Sequence, residues 1–169
     1  MDPIAEACER AERLSEESAP LHEILTCLVS AAEAVSGPRS AASVLLLDDE
    51  GLLRNGASPN LPRDYLDAID RLKPDARVGT CAAAAATGTV VFTPSFLADD
   101  KWAELRHLPL SLGFAGAWSM PIKSEQDGRV LGTFGTYFRD VREPTPLEVT
   151  AVRALATAAA RAVEAVVPN

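Results

Sequence analysis

No run of Lys or Arg occurs in this sequence, and its formal net charge is −8 with a pI of about 4.8. A protein that grips a phosphate backbone needs a basic face, so a nucleic-acid partner is not expected. No apolar stretch approaches the roughly 18–20 residues that cross a bilayer. The N-terminal MDPIAEACERAERLSEES is acidic and has no hydrophobic core of a signal peptide. The expectation is a cytoplasmic protein with no membrane partner. Cysteine is scarce: Cys8, Cys27 and Cys81 are widely spaced, an odd set without a framework, which reads as free thiols in a reducing compartment. There is no CxxC, no HExxH and no Cys/His cluster, so a structural zinc site is not expected. Histidine is limited to His22 and His107, and aromatics make up 5% of the chain.

What the chain does have is alanine, amphipathic segments and enough length, at 169 residues, for one domain with a core that folds without staples. Residues 3–18 place Ile4, Ala7, Cys8, Ala11 and Leu14 at heptad-like spacing, a helix with one apolar seam that ends before Pro20. A second helix carries Leu21, Ile24, Leu25, Leu28, Ala31, Ala32 and Val35 on one face and stops at Gly37-Pro38. Ala42–Leu47 and Leu52–Ser58 read as a hairpin around the DDEG turn. A short helix follows, with Pro62 in its first turn. VGTCAAAAATG predicts a short helix over 81–87, with Thr80 as N-cap and Gly88 as stop. TVVFTP is a strand, and Asp100–Leu110 a helix broken at Pro109, with Asp99-Asp100 as its cap. FAGAWSMPIKS and RVLGTFGTYFRD form a second hairpin across EQDG. A long helix begins at Thr145-Pro146, so apolar all round that it is covered on two sides. Hairpins around an antiparallel sheet with helices outside make an α+β fold. No repeat, linker or second domain is visible.

Several ordered signals resemble the GAF domain family, in particular the domains attached to bacterial sensor kinases and cyclic-di-nucleotide enzymes. They are Gly79-Thr80-Cys81, Trp102, the strand from Gly113 through Trp118-Ser119-x-Pro121-Ile122, Leu131-Gly132-Thr133-Phe134, and Pro144-Thr145-x-x-Glu148. The resemblance covers about residues 20–166. It implies a sheet of about six antiparallel strands, with the terminal helices on one face and a small-molecule pocket under short helices on the other. It also implies homodimerisation through the terminal helices, and an output domain such as a histidine kinase in cis or in trans. The expected division is an N-terminal dimerisation or linker helix over 1–18 and the GAF domain over 19–167. Similar domains read Gly-Ser-Cys-Gly-Thr-Ala where this chain has Ala82, and often carry a cysteine where it has Ala117.

The candidate ligand-binding residues are Thr80, Cys81, Ala82, Phe92, Trp102, His107, Phe114, Trp118 and Tyr137; no catalytic and no metal residue is assigned. Cys81 at a helix start would feel the positive end of the dipole, which lowers a thiol pKa. A nucleophile also needs a base, and His107 is the one histidine near the pocket wall. The alternative functions are a thiol redox enzyme or sensor using Cys81, and a haem sensor through His107. GAF-fold enzymes that reduce free methionine sulfoxide use further cysteines in later pocket segments, and this chain has none after Cys81. Bilin attachment would put a cysteine beside a histidine, which ELRHLP does not. The cyclic-GMP pattern is missing as well. The bland reading makes Cys81 a small half-buried residue. Ala82–Ala86 either pack tightly on the sheet or floor a cavity, leaving the amides of 80–82 to meet an anion or carbonyl. The aromatics Phe92, Phe114, Trp118, Phe134 and Tyr137 read mainly as core. In the last strand, Thr133, Gly135 and Tyr137 share one face with Leu131, and Gly132, Phe134, Thr136 and Phe138 the other with Val130. Sequence does not select which series faces the pocket. Gly132 and Gly135 suit close backbone approach.

Overall fold

Strands β1 (Ser40–Leu47), β2 (Leu53–Ala57), β3 (Val91–Thr93), β4 (Gly116–Lys123) and β5 (Val130–Phe138) form one sheet in the order β2-β1-β5-β4-β3. Every pairing is antiparallel. This is a computed structural model describing residues 2–166. The helices are α1 (Pro3–Glu16), α2 (Leu21–Ser36), α3 (Arg63–Ile69), α4 (Cys81–Thr87), α5 (His107–Ser111) and α6 (Pro146–Val166). The α+β architecture is the expected one, but the sheet has five strands rather than about six. The segment that would extend it beyond β2 makes a single bridge, Leu53 with Leu72. Pro74 then offers no N–H to a ladder, and Asp75 turns the chain back through a Val78 N–H to Asp75 carbonyl bond.

Side-chain alternation divides the sheet into two unlike faces. Ala42 and Val44 of β1, Trp118, Met120 and Ile122 of β4, and Phe134 and Phe138 of β5 point toward α2 and α6 and build the larger core. Ala41, Leu45, Ala117 and Tyr137 point the other way, toward α3, α4 and the loop that carries Phe96 and Trp102. A bulge at Leu131, opposite Lys123, flips the alternation at the start of β5. Leu131 therefore joins the helical core and Val130 packs on the opposite side, the reverse of the strict period-two expectation.

The termini of the helices follow from local chemistry. In α6, Pro146 takes the first position, Thr145 Oγ1 accepts from the Glu148 amide, and Glu148 Oε1 accepts from the Thr145 amide. This reciprocal pair is a capping box. The same Glu148 is buried and paired in two bonds with Arg142, at 2.8 and 3.0 Å, and it accepts from Ser36 Oγ at the end of α2. Arg142 lies 3.7 Å from the centre of the Phe138 ring, so the end of β5, the end of α2 and the start of α6 are joined at one point. The sheet and α1 cover α6, as its composition demands, with Ala7 and Ala11 of α1 in the shared core.

The segment from Asp100 to Leu110 departs from the expected single helix. Asp100–Trp102 is one 3-10 turn, capped by Asp99 accepting from the Lys101 amide, and α5 begins afresh at His107. A continuous helix would need an N–H at Pro109 and room beside the Leu105 carbonyl. The break therefore falls before Pro109, which sits inside the first turn of α5, where a missing N–H costs nothing.

Candidate functional site

A closed cavity of about 20 Å³ lies on the face of the sheet opposite the long helices, enough for about one water molecule. Leu45 and Tyr137 give its floor, Tyr65, Ile69 and Leu72 one wall, and Thr80, Cys81, Trp102 and Leu105 the other. Tyr65 from α3 meets Tyr137 from β5 hydroxyl to hydroxyl at 2.6 Å, with the rings edge to face at 5.7 Å. Burial raises both phenol pKa values, so both are held protonated. Trp102 Nε1 donates to Thr80 Oγ1 at 2.8 Å, and Thr80 Oγ1 also meets Thr93 Oγ1 at 2.8 Å. Phe96 packs against Trp102 at 4.5 Å and Phe114 against Tyr137 at 5.4 Å. No charged side chain lines the space.

Of the nine residues proposed from sequence, Thr80, Cys81, Trp102 and Tyr137 come together here, and Phe114 buttresses Tyr137 from behind. The other four do not line the cavity. Trp118 faces the helical core, because it alternates with Ala117 along β4, and Phe92 stacks beside it at 6.1 Å on the same face, with its outer side in solvent. Ala82 is fully buried against its surroundings within α4. His107 is exposed at the start of α5. Haem held through His107 does not fit this geometry: the imidazole is outside the cavity, and the space inside is far too small. Among the described residues no group of three His, Cys, Asp or Glu gathers that could hold a metal.

Thr80 precedes α4, but it is not the side-chain cap the sequence suggests, since its hydroxyl is committed to Trp102 and Thr93. Gly88 ends the helix as expected, in the left-handed region at φ 66°. Ala82, Ala83, Ala84 and Ala85 are all buried, so the alanine run is a packing device that lets α4 lie close on the sheet. Gly135 completes the fit. A Cβ there would stand 3.0 Å from Cys81 Sγ, and one on Gly132 would stand 2.1 Å from the Leu45 carbonyl oxygen.

Burial raises the Cys81 thiol, against a smaller pull downward from the Ser119 and Thr133 hydroxyls beside it. Those two hydroxyls lie near the sulfur, but neither forms a bond of sound geometry with it or with any other protein group. Cys8 and Cys27 lie in the helical layer, beside the Ala154 and Ala7 carbonyls, so no second thiol faces Cys81. Half-buried at the start of α4, Cys81 has a thiol that desolvation holds above its ordinary pKa, and no second thiol faces it. Sequence reasoning missed Tyr65, Leu45, Ile69, Leu72 and Leu105. Tyr65 was visible as the only hydroxylated aromatic on its short helix, but nothing in the sequence aims it at Tyr137.

A GAF domain model matches residues 18–164, and this chain belongs to the GAF domain family. It is 35% identical over 147 residues to the methyl sulfide methyltransferase-associated sensor of Methanosarcina acetivorans; the match covers 86% of this chain and 14% of that protein. Among solved structures it resembles a domain of a putative two-component sensor histidine kinase from Sinorhizobium meliloti. There the TM-score is 0.71 at 21% identity, over 86% of this chain and 91% of that one. The reduced form of fRMsr of Staphylococcus aureus has the same fold, with a TM-score of 0.71 at 12% identity over 95% and 94% of the two chains. Among the described residues no helix is long and apolar enough to cross a membrane.

Proposed function

We propose that this chain is a non-catalytic sensory module of a signalling protein, and that it binds a small uncharged ligand in the cavity between Tyr65, Tyr137, Thr80 and Trp102. The observation that carries this reading is the cavity's chemistry. Its polar groups are neutral hydroxyls and an indole held by one another, with a thiol beside them, and they offer hydrogen bonds but no charge to a guest. A guest larger than a water must part the Tyr65–Tyr137 pair and move α3, a short helix of seven residues. Such a ligand shifts the balance of closed and open forms by its differential affinity for them.

The module passes that shift through α1 and α6 to an output domain such as a histidine kinase, in the same protein or a partner. It works as a cytoplasmic homodimer through those terminal helices. Leu147 and Val166 of α6, 74% and 46% exposed, are apolar surface available to a second copy. The Arg142–Glu148 junction supports the route to α6, because Phe138 under Arg142 adjoins Tyr137 in the cavity. The thiol-redox alternative gains no support from a half-buried Cys81 whose thiol desolvation raises and which no second thiol faces.

The test is a thermal-shift and calorimetric screen of the protein against neutral metabolites below about ten heavy atoms, a size matched to a tight pocket. A ligand is expected to raise the midpoint of the wild type and to lose that effect in Tyr137→Phe and Trp102→Phe. Stabilisation that survives both substitutions, or that comes only from charged compounds, contradicts the reading.

A further inference from the structure

A groove of about 300 Å³ lies between α6 and the open edge of β4, distinct from the tyrosine cavity. It exists because β3 is only three residues long. Pairing with β3 runs from Ala117 to Ser119 and stops, so Met120–Lys123 has β5 on one side and no strand on its outer edge, where residues 88–90 line the groove.

Two cations enter this groove from different elements, Lys123 from β4 and Arg153 from α6. In this acidic protein most basic side chains are taken: nine of the sixteen Lys and Arg residues are in ion pairs. Among the described residues Lys123 and Arg153 have no acidic partner, and both side chains are exposed. The hydroxyls on the rim are already used. Thr157 donates to the Arg153 carbonyl, and Thr87 donates to the Ala83 carbonyl, which leaves the Thr89 proton for Thr87. Further along α6, Glu164 accepts from Ser124 and Glu125 pairs with Arg161, and neither carboxylate bonds to Lys123 or Arg153. The Lys123 ammonium lies against the loop at Gly88, where a Cβ would be in ordinary contact with it at 3.6 Å. Val90, Met120, Pro121 and Ala156 give the groove apolar walls.

We infer that this groove is a binding site for a small multivalent oxyanion of the phosphoryl class, held by Lys123 on the sheet and Arg153 on α6. A bound anion links two elements that otherwise have separate charges, and so braces α6 against the sheet edge. This goes beyond the cavity reading and does not depend on it.

Inorganic pyrophosphate is the probe, titrated calorimetrically into the whole chain at about 50 mM salt, where surface charge is only partly screened. One-to-one binding is expected, weakened at least about tenfold in the double variant Lys123→Gln/Arg153→Gln. The double variant Arg10→Gln/Arg13→Gln removes the same charge from α1 and is expected to bind as the wild type does. Tyr137→Phe is likewise expected to leave pyrophosphate binding intact, which separates this site from the cavity. No detectable binding to the wild type, or equal weakening in both charge variants, overturns the assignment.

Discussion

The two faces of the sheet are built from different materials. The face toward α2 and α6 is filled by Trp118, Phe134, Phe138, Ile122 and Val44, all nearly inaccessible and interlocked with Leu25, Leu28 and Leu155. The face toward α3 and α4 has large apolar groups too, among them Leu45, Phe96, Trp102 and Phe114, but it mixes them with small residues and paired hydroxyls: Ser43 on Ser58 at 2.6 Å, Tyr65 on Tyr137, Thr80 on Thr93, and Gly135 under Cys81. Apolar burial is non-directional and holds a layer in place over a large area. Hydrogen bonds between neutral hydroxyls each add only about 0.5–1.5 kcal/mol net and can be exchanged for bonds to a guest. On the proposed reading the helical face carries the larger share of the stability, and the cavity face is the one that opens to a guest.

Substitutions on each face should therefore differ in kind as well as size. Phe134→Ala, in the helical core, is expected to lower global stability by about 3–5 kcal/mol, read by denaturant unfolding with a single cooperative transition. Glu148→Gln breaks the clamp at the start of α6. Arg142 is 31% exposed, so the cost is expected at about 2 kcal/mol rather than the full value for a buried pair. Burial works to raise the Glu148 carboxyl, but the bonds from Arg142, Ser36 and Thr145 outweigh it and leave the pKa below the ordinary 4.5. A carboxyl lowered on folding adds stability that is complete above its unfolded value and is lost as pH falls through the folded one. The wild type should accordingly lose stability below about pH 4.5 more steeply than Glu148→Gln does.

On the cavity face, Gly135→Ala drives a methyl into Cys81 Sγ and should cost about 1–2 kcal/mol, with the displacement confined to α4. Tyr137→Phe removes one hydroxyl of a mutually satisfied pair, and its expected cost is about 1 kcal/mol. Its larger signature is faster hydrogen exchange in α3, with α2 unaffected. Equal slowing or quickening of both layers would erase the proposed contrast.

The helical face was the more legible of the two in the sequence. Leu21 to Val35 repeats at helical spacing, and α6 announces itself by Thr145-Pro146 and Glu148. These are local signals, set by periodicity and capping within a few residues. The cavity face depends on contacts between distant segments, such as Tyr65 with Tyr137 and Trp102 with Thr80, which no spacing encodes. Trp118 and Phe92, both ligand-binding candidates from sequence, are paired across β4 and β3. The single-residue alternation that sends Ala117 to the pocket side sends both rings to the helical side. The bulge at Leu131 hid the face of β5 in the same way, because one inserted residue reverses a period-two pattern. The reading of Cys81 as a small half-buried residue was available from the sequence, which offers no later cysteine to pair with it, and its intermediate exposure agrees with that.

Native-state hydrogen exchange tests the central claim most directly, by resolving the opening free energy of each helix. The account predicts that α3 and α4 exchange through openings several kcal/mol smaller than global unfolding, whereas the inner amides of α2 and α6 exchange only by unfolding the whole domain. If all four helices share one opening free energy, the cavity face does not open separately, and a gate at Tyr65 and Tyr137 is contradicted.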